Sequence, residues 1–298
     1  MLEWGKEGGQ GMSILTDTIR KQFKEGDDIR DAGLTTPDTV QRFDNILYGD
    51  DPEWNTMDLY IPKEEKGKLP IIISFHGGGW VYGDKERYQY YCMSLAERGF
   101  AVINFTYRLA PEFKHPAPLE DMNQVAHWIM NHAKDYFLDI EHIYGVGDSA
   151  GAHLLTLYAS ILTNREYAST YDFKAPVGFH FNALALNCGA YNITPESELT
   201  GALIKEYMPQ GGLEEFKEID PKQYITSDFP PCFVMTAEGD FLLEDALTMS
   251  QVLTHHNVPH MYKYYVGDQP LNHVFHCNIR LKEATQCNDE ECEFFKKY

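Results

Sequence analysis

The feature of this sequence that most restricts its fold is a series of short apolar runs separated by segments with helical spacing. Runs such as KLPIIISF at residues 68–75 are continuous rather than alternating, which is typical of strands buried on both faces. Strands that alternate with helices predict an α/β fold with a mostly parallel central sheet covered by helices on both faces. The predicted strands occupy residues 57–62, 68–75, 100–105, 142–147, 179–187, 231–239 and 260–266.

This pattern predicts one catalytic domain with a small cap. Residues 1–45 are polar, with one helical stretch at 13–24, and we expect them to form an N-terminal cap segment. Residues 46–298 carry the alternation and are expected to form the catalytic domain. Residues 188–228 interrupt it, are rich in Gly, Pro and Glu, and are a candidate cap insertion. The other predicted helices occupy residues 88–98, 119–134, 152–162, 242–256 and 279–297.

The segment GDSAG, at residues 147–151, joins a predicted strand to a predicted helix. A G-x-S-x-G segment at such a junction holds its serine in a sharp, strained turn, and its glycines remove side chains that would clash there. The serine oxygen then lies above the sheet at the N-terminus of the following helix. Ser149 is therefore the predicted nucleophile. The alternative is a serine that only caps the helix.

A second motif, HGGGW at residues 76–80, follows a predicted buried strand. Consecutive glycines let backbone N–H groups point at a space where negative charge develops on a carbonyl oxygen, and each such donor contributes about 3–4 kcal/mol. The predicted donors are the N–H groups of Gly78, Gly79 and Ala150. A flexible glycine turn and a phosphate-binding loop are the alternatives, but the lysine of GxxxxGK[ST], which a phosphate-binding loop would have, does not follow these glycines. His76 itself is expected to orient the loop.

Four motifs in a fixed order resemble those of one family. HGGGW, YRLAPE at 107–112, HPAPLED at 115–121 and GDSAG are similar to the motifs of the hormone-sensitive-lipase-like group of α/β-hydrolases, which includes bacterial short-chain acetyl esterases. The resemblance covers residues 55–298. It implies a serine esterase for short acyl groups, with a triad in the chain order Ser, Asp, His. It also implies that YRLAPE and HPAPLED support the site without taking part in the reaction.

The resemblance implies the acid of the triad as well. The family pattern has an acidic residue just after a late strand, and Asp240 stands there. Asp245 and Asp228 are weaker alternatives, and Asp240 could also serve as a helix N-cap. Phe241 stands where the family often has proline, which is a departure from the pattern.

The base is expected on the loop before the C-terminal helix. There His273-Val274-Phe275 fits the family's His-x-Phe pattern, whereas His276 does not. In the expected reaction His273 takes the proton of the nucleophile, and the acid fixes the tautomer of the imidazole. The spacing of the other histidines with Asp or Cys does not suggest zinc, so we expect neither a metal nor a cofactor.

The substrate is left open by the sequence. Trp80, Tyr82 and Asp148 are expected to contact it, and the resemblance implies an acyl group from acetyl to butyryl. HGGGW also occurs in acetyl esterases that act on carbohydrates and in aryl ester hydrolases, and 19 tyrosines would suit stacking on either. An amidase of the formamidase type, an acyltransferase and a ligand-binding protein without turnover are the alternative functions.

Charge and composition bear on partners and location. The net charge is −20, from 45 acidic and 25 basic residues, and opposes binding to nucleic acid or anionic membranes. The predicted partner is a small-molecule ester, and the resemblance implies a homodimer by analogy. No run reaches the ~18 apolar residues of a membrane span, and the N-terminus lacks a signal-peptide pattern, so we predict a cytoplasmic protein. Six cysteines without a CxxC pair predict reduced thiols.

Overall fold

A computed structural model describes residues 14–64, 67–194, 198–210 and 213–298. The strands are β1 (Val40–Leu47), β2 (Thr56–Pro62), β3 (Leu69–Phe75), β4 (Ala101–Phe105), β5 (Leu138–Asp148), β6 (Ala183–Asn187), β7 (Cys232–Ala237) and β8 (His260–Tyr265). The helices are α1 (Ile14–Asp31), α2 (Lys85–Ala96), α3 (Ala117–His132), α4 (Ala150–Thr163), α5 (Arg165–Ala168), α6 (Glu198–Tyr207), α7 (Leu213–Glu218), α8 (Leu243–His255) and α9 (Lys282–Phe295).

Among the described residues, eight strands form one sheet in the order β1-β2-β4-β3-β5-β6-β7-β8. Strand β2 pairs antiparallel with both β1 and β4. All the pairs from β4 to β8 are parallel. The predicted fold class, a mostly parallel sheet with covering helices, is therefore confirmed. Because the parallel strands run in one direction, the loops after β3, β5, β7 and β8 meet at the same edge of the sheet.

Consecutive residues of β3 show that both faces of the sheet are buried. Ile71 and Ile73 pack in one apolar cluster that includes residues of α3, α4 and α8. Ile72 packs in a second cluster with residues of α2 and α9. All three side chains have no exposed surface. A strand covered on both faces needs apolar residues at every position, which explains the continuous run in the sequence.

The structure differs from the sequence-based expectation near the N-terminus. Strand β1 is absent from the predicted strands, yet it pairs with β2 and crosses the boundary expected between residues 45 and 46. The sheet thus begins at Val40, and the division into cap and catalytic domain stays a prediction. Helix α1 continues to Asp31, beyond the predicted end at residue 24, and Ser13 lies outside the described residues.

Strand β6 is shorter than predicted, because it begins at Ala183 rather than at residue 179. Just before it, the side chain of Asn182 accepts a hydrogen bond from the N–H of Ile143 at 2.8 Å. All six cysteines lie in the described ranges, and all are buried free thiols, as predicted. No helix in the described ranges has the length and apolar character that crossing a membrane requires.

Candidate active site

Ser149 lies at the sharp turn between β5 and α4. Its backbone has φ 51° and ψ −121°, a sparsely populated conformation for a residue with a side chain. The turn is held by hydrogen bonds from the N–H of Ser149 to the carbonyl of Asn187 (3.1 Å) and from the N–H of Ala190 to the carbonyl of Ser149 (3.2 Å). A Cβ at Gly147 would lie 2.8 Å from the backbone of Gly151, so only glycine fits this crossing of strand and helix.

The carboxylate of Asp240 and the imidazole of His273 form a hydrogen-bonded pair. Oδ1 of Asp240 lies 2.7 Å from Nδ1 of His273. The carboxylate is buried and also accepts hydrogen bonds from the hydroxyl of Thr236 (2.7 Å) and the N–H of Leu242 (2.9 Å). Burial alone would raise the pKa of Asp240, but these hydrogen bonds and the charge of His273 hold it below its usual value. An ionised carboxylate at Nδ1 leaves Nε2 of the imidazole ready to accept a proton.

The alternative residues weighed from the sequence have other surroundings. Asp245 accepts hydrogen bonds from the backbone N–H groups of Tyr191 (2.6 Å) and Asn192 (2.8 Å). Asp228 is exposed. His276 is completely buried, and this burial lowers its pKa to about 3. The structure thus brings together the two residues that the sequence motifs favoured and places the competitors elsewhere.

Gly78 and Gly79 form a tight loop after β3, with φ values of 123° and 60°. A Cβ at Gly78 would lie 2.0 Å from the carbonyl oxygen of Tyr82, so a side chain cannot fit there. Within the described ranges, the N–H groups of both glycines donate no hydrogen bond. Ala150 is the first residue of α4, where the N–H has no intrahelical partner. All three residues line one cavity, so their N–H groups are suited to an anionic oxygen.

His76 holds this glycine loop in place. Its Nδ1 lies 2.8 Å from the carbonyl oxygen of Gly77, and its ring stacks on Tyr107 with 3.9 Å between ring centroids. The hydroxyl of Tyr107 donates to the carbonyl of His76 at 2.7 Å. Complete burial lowers the pKa of His76 to about 4, so the ring is neutral at pH 7. These contacts match the orienting role expected for His76.

The YRLAPE and HPAPLED segments are tied to each other and to α1. Nε of Arg108 lies 2.9 Å from Oδ1 of Asp121, and the N–H of Arg108 donates to Oδ2 at 2.7 Å. Burial raises the pKa of Asp121 to about 6 despite these donors. Glu112 pairs with Arg20 of α1 at 2.7 Å. The two segments thus connect the core beside the glycine loop with the N-terminal helix.

A cavity of about 360 Å³ contains the predicted site. Eight predicted site residues line it: Gly78, Gly79, Trp80, Tyr82, Asp148, Ser149, Ala150 and His273. Sequence reasoning missed several other lining residues: Gln22, Phe23, Asp27, Arg30, Tyr88, Thr200, Leu203, Leu242 and Val274. It noted Phe241 only as a departure from the family pattern. The available signal for α1 was the spacing of residues 23, 27 and 30, which places them on one helical face.

Two of the predicted substrate contacts are bonded to other protein groups. Trp80 is 1% exposed, and its Nε1 donates to Nδ1 of His153 at 3.2 Å. Asp148 is buried and accepts a hydrogen bond from the hydroxyl of Tyr88 at 2.7 Å. Burial raises the pKa of Asp148 to about 7. Both residues therefore shape the cavity wall, with their polar atoms held by the protein.

Among the described residues, two groups of buried or half-buried side chains bring potential metal-ligand atoms within 4.8 Å of one another: Asp148, His276 and Cys277, and Cys188, Asp240 and His273. Burial raises the pKa of both thiols well above the usual value, which disfavours the thiolate that a metal binds. In the second group, Nδ1 of His273 is already bonded to a carboxylate. We therefore assign neither group to a metal.

Comparison with known proteins places this geometry in a family. The BD-FAE family model matches residues 57–255, more than half of the chain. An acetyl esterase of Salmonella schwarzengrund is 27% identical over 256 residues, which cover 80% of this chain and 75% of the relative. A versiconal hemiacetal acetate esterase of Dothistroma septosporum is 28% identical over 223 residues, which cover 70% of this chain and 68% of the relative.

Solved structures are similar over nearly the whole chain. Inhibited esterase B from Lactobacillus rhamnosis has 25% identity and a TM-score of 0.87, covering 96% of each chain. An esterase from Pyrobaculum calidifontis has 24% identity and a TM-score of 0.78, covering 95% of this chain and 93% of the other. The resemblance inferred from the four motifs is thereby confirmed. The chain belongs to the BD-FAE family, within the hormone-sensitive-lipase-like α/β-hydrolases, and is an enzyme that hydrolyses carboxylic esters.

Proposed function

We propose that this enzyme cleaves esters of short acyl groups, from acetyl to butyryl, through an acyl-enzyme on Ser149. One observation carries the proposal. His273, whose Nδ1 is 2.7 Å from a buried carboxylate oxygen of Asp240, lines the same cavity as a serine held at a helix N-terminus with a positive φ. A nucleophile, an oriented base and unpaired N–H donors at one cavity are the parts that acyl transfer requires.

The reaction follows from the placement of these groups. Nε2 of His273 takes the hydroxyl proton of Ser149 while the serine oxygen attacks the carbonyl carbon. The oxyanion that forms accepts hydrogen bonds from the N–H groups of Gly78, Gly79 and Ala150. The imidazolium then gives its proton to the leaving alcohol. Water, deprotonated by the same imidazole, then attacks the acyl carbon. The bond to the serine oxygen breaks, this oxygen takes the proton back from the imidazolium, and the carboxylic acid is released.

Rigid apolar side chains beside the oxyanion donors support the limit to short acyl groups. Leu203 of α6 is 4% exposed, and its Cδ1 would lie 2.8 Å from a Cβ built at Gly79. Trp80 follows the glycines and stacks on Tyr207 with 5.9 Å between ring centroids. Leu203 and Trp80 bound the cavity beside the donors, which supports a preference for short acyl chains. The relatives named for acetyl and acetate esters are in keeping with this limit.

We also propose that α1 and the described part of residues 188–228, which excludes 195–197 and 211–212, act as a cap over the cavity. Helix α1 contributes Phe23 and Asp27 to the cavity wall, and α6 contributes Leu203. Nε of Arg20 donates to the carbonyl of Val81, just after the glycine loop, at 2.8 Å. This bond supports a helix that is fixed over the site.

The test is a series of initial rates on p-nitrophenyl esters from acetate to laurate, with Ser149→Ala as the matched variant. We expect the highest kcat/KM between acetate and butyrate, and a loss of more than about a thousandfold in a variant that stays folded by circular dichroism. Retention of more than about a thousandth of the activity would remove Ser149 as the nucleophile. Turnover of N-formyl aromatic amides without ester turnover would favour a formamidase-type reaction instead.

A further inference from the structure

We infer that the leaving alcohol of the substrate is aromatic rather than a sugar, and that Phe241 is the side chain that contacts it. This inference rests on the proposed function, since it assigns the alcohol side of the same cavity. It is carried by two exposed aromatic rings at the cavity and by the bonding of the charged groups beside them.

Phe241 lies directly against the imidazole of the acid–base pair. The ring centroids of Phe241 and His273 are 4.3 Å apart, with the rings tilted by 46°. Phe241 lines the cavity and is 62% exposed. In the proposed reaction, His273 must hand its proton to the leaving oxygen. A group beside this imidazole therefore meets the alcohol part of the substrate.

A second exposed ring lines the same cavity from α1. Phe23 is 39% exposed and packs edge-on against Tyr82, with 5.8 Å between ring centroids. The hydroxyl of Tyr82 donates to Asp27 at 2.8 Å, which fixes the ring that supports Phe23. Exposed aromatic side chains that share a cavity are a usual mark of a ligand contact. Aromatic rings pair with one another in tilted or edge-on geometry, so these two suit an aromatic alcohol.

The charged groups that α1 turns toward the cavity already have protein partners. Nη1 of Arg30 pairs with Oδ1 of Asp27 at 2.8 Å, and Oδ2 of Asp27 accepts the hydroxyl of Tyr82. Nε of Arg30 lies 2.8 Å from Asp31, and Nη2 also donates to the carbonyl of Arg87. A sugar loses hydrogen bonds to water at each hydroxyl and needs protein groups that replace them. Asp27 and Arg30 are already bonded to each other and to other protein groups, so they do not replace the hydrogen bonds that a sugar would lose. This disfavours a sugar at this wall.

Three acetates of primary alcohols test the inference: benzyl acetate, cyclohexylmethyl acetate and 6-O-acetylglucose. The three alcohols are leaving groups of similar quality, so differences in kcat/KM report how well the enzyme binds the alcohol part of the ester. We expect kcat/KM for benzyl acetate to exceed that for 6-O-acetylglucose at least tenfold and that for cyclohexylmethyl acetate about threefold. An equal or higher value for the sugar ester, or for the cyclohexylmethyl ester, would overturn the aromatic assignment.

The role of Phe241 is tested with Phe241→Ala and with ethyl acetate as the small reference ester. We expect the variant to lose about five- to tenfold more kcat/KM on benzyl acetate than on ethyl acetate. Equal losses on both esters would overturn the role, because the ring would then act only on His273. Phe137→Ala is the matched control, since Phe137 is 67% exposed and does not line the cavity; it should change neither rate.

Failure of the inference and failure of the proposed function give different results. If the wild type hydrolyses ethyl acetate, Ser149→Ala does not, and benzyl acetate shows no preference, only the inference about the alcohol is refuted. If the wild type hydrolyses none of the acetates, the proposed short-acyl esterase is itself refuted.

Discussion

Replacing Leu203 by alanine should move the acyl preference toward longer chains. Leu203 is buried and lines the cavity. It lies so close to the glycine loop that its Cδ1 would be 2.8 Å from a Cβ at Gly79. The substitution removes three carbon atoms, Cγ and both Cδ, and so opens enough space for about two further methylene groups of a substrate next to the proposed oxyanion donors. In the proposed reaction the acyl chain starts at the carbonyl held by those donors, so we expect the new space to lie on its path.

The size of the change in acyl preference follows from burying the two additional methylene groups that hexanoate has relative to butyrate. Each buried methylene contributes about 0.8 kcal/mol, so hexanoate should gain about 1.6 kcal/mol relative to butyrate. This is about a 15-fold increase in the ratio of the two kcat/KM values. The lost packing should also lower the free energy of unfolding by about 2–4 kcal/mol, because the leucine is buried.

The assay compares p-nitrophenyl butyrate with p-nitrophenyl hexanoate, at a temperature where the variant is fully folded. Leu247→Ala is the control, since Leu247 lies on α8, is 47% exposed and does not line the cavity. The ratio of the two rates should stay at the wild-type value in this control. An unchanged ratio in a folded Leu203→Ala variant would refute the reasoning, since Leu203 could not then bound the acyl side.

Two further predictions concern buried carboxyl groups. Asp240→Asn should lower kcat by about 10⁴-fold, because the amide favours the wrong tautomer of His273; a loss below tenfold, measured on folded protein, would argue against Asp240 as the acid. Glu291 is completely buried, accepts hydrogen bonds from Asn187 (2.7 Å) and Tyr91 (3.0 Å), and burial raises its pKa to about 7. A folded-state pKa above the unfolded value means that stability falls as pH rises from about 4.5 to about 7 and is level above that. Over this window the wild type should lose about 3 kcal/mol more than Glu291→Gln in urea unfolding, and parallel curves for the two proteins would contradict the assignment.

Strands whose burial is uniform were readily predicted from the sequence. Strands β3 and β4 are covered on both faces, and their continuous apolar runs are unambiguous. Strand β1 is at the edge of the sheet, mixes buried and exposed positions and has an irregularity in its pairing between Phe43 and Ile46, so no simple period marks it. Edge strands with a broken alternation look like loops in a single sequence.

The residues of the candidate site also fall into two groups, those that local motifs predict and those that the sequence does not reveal. Ser149 and the glycines of the loop after β3 sit in short motifs, so their neighbours in sequence mark them as candidates for the nucleophile and the oxyanion donors. Phe23 and Leu203 reach the cavity only because α1 and α6 pack over it, and that packing depends on contacts far apart in the chain, such as the pair Arg20–Glu112. The helical spacing of Phe23 with residues 27 and 30 marks one face of α1, but no local pattern shows that this face covers the cavity. The substrate contacts, the cap and the homodimer stay predictions.

The order of the strands explains why the two ends of an ester would meet different walls. The proposed nucleophile follows β5, near the middle of the sheet, and the glycine loop follows β3, its neighbour on one side. The acid and the base follow β7 and β8, on the other side. An ester carbonyl at Ser149 must then turn its oxygen toward the glycine loop and its leaving oxygen toward the imidazole. We therefore expect Phe241, which lies on His273, to face the alcohol, and propose that Leu203, beside Gly79, faces the acyl chain. If the two side chains face these different parts of the substrate, we expect separate residues to set acyl length and the nature of the alcohol.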